Sequence, residues 1–79
     1  GLDPRGTRVL DVGASTGGFT QLVLERGAVE VIALDVGRNQ LDWILRSDDR
    51  VHVLEGRNAR HLVPEDLPFV PDWAVVDVS

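Results

Sequence analysis

The chain has 79 residues and a net charge of −5, from thirteen acidic residues against eight arginines, with no lysine and no cysteine. This length allows one small domain, and the lack of cysteine excludes disulfides and thiolate metal sites. No apolar run approaches the roughly 20 residues that cross a bilayer, so we expect a cytoplasmic protein that does not contact membranes. An acidic chain is a poor binder of nucleic acid by itself, because cationic contacts to phosphates supply most non-specific affinity.

The first half of the chain alternates apolar segments with a helical pattern. Residues 8–12 are typical of a short buried strand, and a helix is expected to begin near Gly17 or Gly18 and to end at Gly27. The apolar residues of this helix that share one face are Phe19, Leu22 and Val23. A second apolar strand follows at 29–35.

The second half continues the same alternation. A second helix is expected to open at Asn39, a good N-cap residue. Its buried face, at spacing i, i+3, i+4, would consist of Leu41, Ile44 and Leu45. Strands are predicted at 51–55 and 73–78, separated by a proline-containing connection.

Strands that alternate with helices predict a parallel α/β sheet. Right-handed crossovers and doubly wound topology give a Rossmann-like order of 3-2-1-4, with helices on both faces. Gly13 and Asp77 then face one crevice, at the point where the winding reverses. Because the sequence stops just after the fourth strand, we expect it to be the first half of a larger domain.

The glycine-rich segment after the first strand, DVGASTGGF, matches three patterns. The dinucleotide fingerprint G-x-G-x-x-G fails at Ser15, although an NAD-dependent oxidoreductase fragment stays an alternative. The nucleophile elbow G-x-S-x-G matches residue by residue. In this chain, however, the segment follows the first strand, so the earlier strand that supplies an oxyanion loop in such hydrolases is lacking. The acid-x-Gly-x-x-x-Gly loop of S-adenosylmethionine-dependent methyltransferases fits with Asp11 as its acid.

Asp35 lies 22 residues after Gly13, at the end of the second strand. A carboxylate there is well placed to accept hydrogen bonds from a ribose diol, although it could also be a simple strand-end cap. Asp77 could likewise only form a turn. His61 has no partner at metal-ligand spacing, so we expect no metal site.

A family resemblance rests on four segments, which follow one another along the chain as LDVGASTGGFT, LDVG with NQLDW, VLEGRNAR and PDWAVVDVS. The chain resembles the haemolysin A branch of the FtsJ-like ribosomal RNA 2′-O-methyltransferases from Arg5 to Ser79. The resemblance implies that residues 1–79 are the N-terminal half of a methyltransferase domain. The C-terminal half and an S4-like RNA-binding domain would lie outside these residues.

The resemblance also implies a binding site for S-adenosylmethionine. The residues that would line its methionine and ribose portion are Gly13, Ala14, Ser15, Thr16, Gly17 and Phe19. Asp11 would lie behind this loop and Asp35 would bind the ribose. Val36 would stack near the adenine and Asn58 would contact its edge. Asp77 would be the acid of a Lys-Asp-Lys-Glu catalytic tetrad.

The reaction implied is methyl transfer to a ribose 2′-hydroxyl of ribosomal RNA, with the RNA or a ribosomal subunit as partner. Since one tetrad position falls within 79 residues, we expect these residues alone to be inactive. An exposed fourth strand predicts that they dimerise or are poorly stable. The alternative from another class is a non-catalytic nucleoside-binding or haemolysin-type module.

Overall fold

The computed structural model describes residues 3–38 and 40–76. Its sheet has four parallel strands in the order β3-β2-β1-β4, which confirms the predicted order. The strands are β1 (Arg8–Val12), β2 (Glu30–Asp35), β3 (Val51–Glu55) and β4 (Trp73–Val76). The start of β2 lies one residue later than expected, and residues 77–79, including Asp77, lie outside the described part of the chain.

The first helix, α1 (Gly18–Glu25), begins at one of the two predicted positions. It ends before Gly27, whose φ of 96° is the left-handed conformation that commonly follows a helix. The prediction of its buried face was partly wrong. Thr20, Val23 and Leu24 are buried, whereas Leu22 is 41% exposed.

The second helix, α2 (Trp43–Arg46), is a single turn that begins later than expected. Asp42 caps it, because its carboxylate accepts a hydrogen bond from the Ile44 N–H at 2.9 Å. The predicted cap, Asn39, lies outside the described residues. Leu45 is buried as predicted, but Ile44 is 69% exposed, so that part of the prediction was wrong.

The core lies between one face of the sheet and both α-helices, whereas the sequence led us to expect helices on both faces. Successive strand residues point to opposite faces, so Val31 and Ala33 share the face on which α1 and α2 pack. Ile32 and Leu34 are fully buried on the other face. Two 3-10 turns, Ala59–His61 and Pro64–Asp66, lie in the connection between β3 and β4. Among the described residues no helix is long and apolar enough to cross a membrane.

Candidate functional site

The glycine-rich loop turns sharply at the carboxyl end of β1. Gly13 has a φ of 81°, which glycine adopts without steric cost. The N–H groups of Gly13 and Ala14 both donate to the Leu34 carbonyl, at 2.8 and 3.0 Å. These bonds hold the loop after β1 against the end of β2, where the predicted ribose acceptor lies.

The Asp35 carboxylate is held in one orientation by two backbone N–H groups. Ser15 donates to its Oδ2 at 2.7 Å, and Gly37 donates to its Oδ1 at 2.8 Å. A carboxylate offers about four acceptor positions, so these two bonds leave capacity for two further donors. Asp35 is half-buried and therefore keeps access to solvent. This arrangement is a fixed acceptor that a vicinal diol could use.

The Asp11 carboxylate lies inside the core, directly below the loop. It is 0% exposed, and its Oδ2 accepts a hydrogen bond of 2.7 Å from the Thr20 hydroxyl of α1. In this position the carboxylate cannot touch a ligand in the crevice. Its contact with α1 instead fixes the first turn of that helix against β1, which supports the loop from behind.

The segment around α2 supports the loop from the opposite side. The Thr16 carbonyl accepts a hydrogen bond from the Asp42 N–H at 3.0 Å. Gly17, with a φ of 105°, packs so closely that an added Cβ would lie 2.3 Å from Leu45 Cδ1 and 2.7 Å from Leu41 Cδ1. The loop can approach α2 in this way only because Gly17 has no side chain.

The loops after β2 and β3 meet next to Asp35. The Gly56 N–H donates to the Gly37 carbonyl at 3.0 Å. Val36 is 69% exposed at this edge, as a residue stacking on a base would need to be. Asn58 is also exposed, and its Oδ1 accepts a hydrogen bond from the Arg60 N–H at 3.0 Å.

The structure therefore brings most of the predicted site together at one edge of the sheet. Ser15, Thr16, Asp35, Val36 and Asn58 are accessible there. Phe19 is half-buried and packs against the core. Gly17 and Ala14 are buried and contribute backbone rather than accessible side chains.

Sequence reasoning missed the supporting residues Thr20 and Leu45. Periodicity gave Leu45 only as a core residue and did not link it to Gly17. Thr20 follows Asp11 by nine residues, and a buried hydroxyl requires a partner. A polar residue at a position that the helical period turns inward is the signal that could have pointed to this pair.

A groove of about 630 Å³ lies between α1 and residues 42–50. It shares Thr16 and Gly17 with the loop but contains neither Asp35 nor Asn58. Its ion pair joins Arg50 to Asp48 at 2.7 Å. The hydrogen bonds from Arg50 lower the pKa of Asp48 from 3.8 to about 2. Two of its acids are already engaged, Asp42 in capping α2 and Asp48 in the ion pair, which makes the groove a weaker candidate for a ligand site than the edge at Asp35.

The described residues contain no group of three His, Cys, Asp or Glu side chains that could hold a metal ion. The candidate site presents the half-buried Asp35 carboxylate together with the backbone of the glycine loop. These groups suit a neutral or cationic ligand with hydroxyl donors, because a phosphate would be repelled by the carboxylate.

Comparison with known proteins gives a consistent result. Residues 1–79 match the model of the FtsJ-like methyltransferase family. The 16S/23S rRNA (cytidine-2′-O)-methyltransferase TlyA of Mycobacterium tuberculosis is 57% identical over 74 residues, which are 94% of this chain and 28% of that protein.

Two solved structures resemble the chain. A Streptococcus thermophilus protein described as a hemolysin has a TM-score of 0.95 and 48% identity, over 99% of this chain and 29% of its own. An S-adenosylmethionine-dependent methyltransferase from Mesorhizobium loti has a TM-score of 0.61 and 24% identity, over 71% of this chain and 27% of its own. The second likeness shows the fold alone. The chain spans less than a third of the length of each of these relatives.

Proposed function

The chain belongs to the FtsJ-like methyltransferase family, and from this premise we propose that it forms the S-adenosylmethionine-binding part of a ribosomal RNA ribose 2′-O-methyltransferase. The observation that carries the proposal is the orientation of the Asp35 carboxylate. It accepts hydrogen bonds from the Ser15 N–H of the glycine loop and from the Gly37 N–H of the turn after β2. The remaining acceptor positions of this carboxylate fit the two hydroxyls of a ribose.

The other residues fit the same cofactor. The loop of residues 13–17 lets backbone approach a ligand closely, since its glycines carry no side chain. Val36 and Asn58 lie at the edge where the base would extend, and their exposure leaves them free to contact it. When bound, S-adenosylmethionine supplies an electrophilic methyl group on a sulfonium.

The contribution of these residues to methyl transfer would be binding and orientation. A ribose held by Asp35 and a loop fixed by the bond between Asp11 and Thr20 leave the ligand little freedom, and such positioning lowers the barrier of a displacement. We assign Asp77 to the catalytic tetrad on the resemblance alone, since it lies outside the described residues.

The proposed substrate is ribosomal RNA, as in the name of the Mycobacterium tuberculosis relative. With a net charge of −5, these 79 residues would gain little affinity from phosphate contacts. We therefore propose that parts of the protein beyond them supply most of the RNA contacts. A role on ribosomal RNA fits the cytoplasmic location expected from the sequence.

The test is calorimetric titration with S-adenosylhomocysteine, NAD and ATP, using the longest natural form of the protein that contains these residues. We expect S-adenosylhomocysteine to bind most tightly. Asp35→Asn should weaken it about 10- to 100-fold, because hydrogen bonds to a charged acceptor are worth about 1.5–3 kcal/mol. Asp49→Asn makes the same change of charge in an exposed turn and is the matched control.

Three outcomes would contradict the proposal. A preference for NAD would favour the oxidoreductase alternative. Equal affinity of the Asp35→Asn and Asp49→Asn variants for S-adenosylhomocysteine would show that Asp35 does not bind the ribose. Absence of binding to all three compounds would favour a module without a nucleoside cofactor.

A further inference from the structure

We propose that Ser15 is a positioning residue. Its left-handed backbone conformation gives the loop the path on which the Ser15 N–H reaches Asp35, and so sets how strongly the site selects a ligand with ribose hydroxyls. This inference rests on the proposed function, because it concerns the same cofactor site. It assigns the role to the backbone of Ser15 and not to its hydroxyl.

The conformation of Ser15 is the first observation. Its φ is 53°, and among the described residues it is the one non-glycine residue with a positive φ. L-residues rarely adopt this conformation, because Cβ crowds the following carbonyl. Since the side chain is exposed, core packing does not hold the residue there. The conformation must be maintained by the backbone contacts of the loop.

The second observation is what the conformation achieves. The Ser15 N–H lies 2.7 Å from Asp35 Oδ2 and joins two segments that are 20 residues apart. The other donor to this carboxylate, the Gly37 N–H, follows Asp35 by two residues and belongs to the same turn. Ser15 therefore supplies the contact that fixes the carboxylate relative to the glycine loop.

The physical consequence concerns specificity. A carboxylate held by donors on both oxygens is preorganised, so a bound ribose need not spend binding energy on orienting it. Without the Ser15 bond, the local Gly37 N–H would be the one hydrogen bond from the described residues that restrains the carboxylate, and the carboxylate could turn away from the ribose. The hydroxyls would then contribute less to affinity, while contacts to the base would be unaffected.

The measurement is the ratio of two affinities, for S-adenosylhomocysteine and for its analogue with 2′-deoxyribose. We expect the wild-type protein to favour the ribose compound by about tenfold or more, as for one hydrogen bond to a charged acceptor. A variant that is only less stable should lose affinity for both compounds alike. Its ratio would stay the same.

The variants differ in their tolerance of positive φ. Ser15→Gly and Ser15→Asn tolerate it and should keep the wild-type ratio, since glycine has no Cβ and asparagine visits this region readily. Ser15→Val is β-branched and a poor fit there, so we expect its ratio to fall about 3- to 10-fold, as for the loss of about 1 kcal/mol. Ser15→Ala should lie between these and replaces Ser15→Val if that variant does not fold.

The outcomes separate this inference from the proposed function. If the wild-type protein shows no preference for the ribose compound, the proposed function fails. If the wild type has the preference but Ser15→Val and Ser15→Ala keep it, the positioning role of Ser15 is overturned. A loss of the ratio in Ser15→Gly as large as in Ser15→Val would assign the effect to the hydroxyl and also overturn it.

Discussion

Replacement of Gly17 by alanine tests whether contact with the α2 segment shapes the glycine loop. The added Cβ would lie 2.3 Å from Leu45 Cδ1 and 2.7 Å from Leu41 Cδ1. Ordinary carbon contacts are about 3.5–4.0 Å, so both leucines would have to move. Both are buried, at 8% and 7% exposure, and have little room to do so.

Two costs add in the Gly17→Ala variant. Overpacking of a buried site costs about 1–3 kcal/mol. A φ of 105° is unfavourable for any residue with a Cβ, by about 1–2 kcal/mol. We therefore expect the free energy of unfolding to fall by about 2–5 kcal/mol, a large part of the roughly 4–12 kcal/mol typical of a domain of this size.

Urea unfolding followed by circular dichroism measures this loss as a lower midpoint with an unchanged slope. Gly18→Ala is the matched control, because no atom lies within 4 Å of its added Cβ and its φ is not positive. That change should be neutral or stabilising by up to about 1 kcal/mol, since alanine is the better helix former. Equal midpoints for the two variants would refute the reasoning.

A double-mutant cycle with Leu45→Ala shows whether the clash is the cause. Leu45→Ala alone should cost about 2–5 kcal/mol for a lost buried side chain. It also removes the atom closest to the added Cβ. The double variant should therefore lose at least about 1 kcal/mol less than the sum of the single variants. Simple additivity would show that the contact with Leu45 is not the cause, and would leave the contact with Leu41 and the backbone conformation.

Three further predictions concern other parts of the fold. Thr20→Val should destabilise by about 1–3 kcal/mol, because it removes the hydroxyl that donates to buried Asp11; Thr20→Ser keeps that donor, and equal melting temperatures of the two variants would contradict the prediction. The hydrogen bonds from Arg50 lower the pKa of Asp48 from 3.8 to about 2 in the folded chain. Their stabilisation is thus present above about pH 4 and is lost as the pH falls towards 2. Since half of the Arg50 side chain is exposed, we expect this effect to be about 0.5 kcal/mol. It is measured as the stability difference between wild type and Asp48→Asn, which should vanish once the pH is below about 2. Finally, β4 pairs only with β1 among the described residues and carries Val76 at 64% exposure, so we expect the 79 residues alone to associate, and sedimentation as a stable monomer would contradict this.

The strands and their order could be predicted because they follow from local patterns. Apolar runs bounded by turn residues marked each strand, and the rule of right-handed crossovers left few arrangements. The acid at the end of β2 was predictable for the same reason, since the spacing of Asp35 from Gly13 depends only on two short loops, one helix and one strand.

The errors concern the start of α2 and the buried face of α1, where the sequence pattern allows more than one arrangement of a single helical turn. Asp42 and Asn39 are both good N-cap residues, and the apolar spacing that followed could not choose between them. The face of α1 was misplaced because periodicity counts only apolar residues. Thr20 turns inward to bond with Asp11, and this displaces Leu22 to the surface. The spacing of apolar residues alone does not show such a hydrogen bond; the polar residue at an inward position is what could have indicated it.

The difference between local patterns and contacts of distant residues also applies to the candidate site. The motif specifies glycines and an acid, but the orientation of Asp35 depends on the Ser15 N–H, which depends on the path of the loop. That path is fixed at one end by the Leu34 carbonyl and at the other by the contact of Gly17 with Leu45. A change on the short α2 turn should therefore alter ligand affinity although α2 lies outside the ligand site. This effect of α2 on ligand affinity requires that both ends of the glycine loop be held, because a loop free at one end could reorient Ser15 at little cost in free energy.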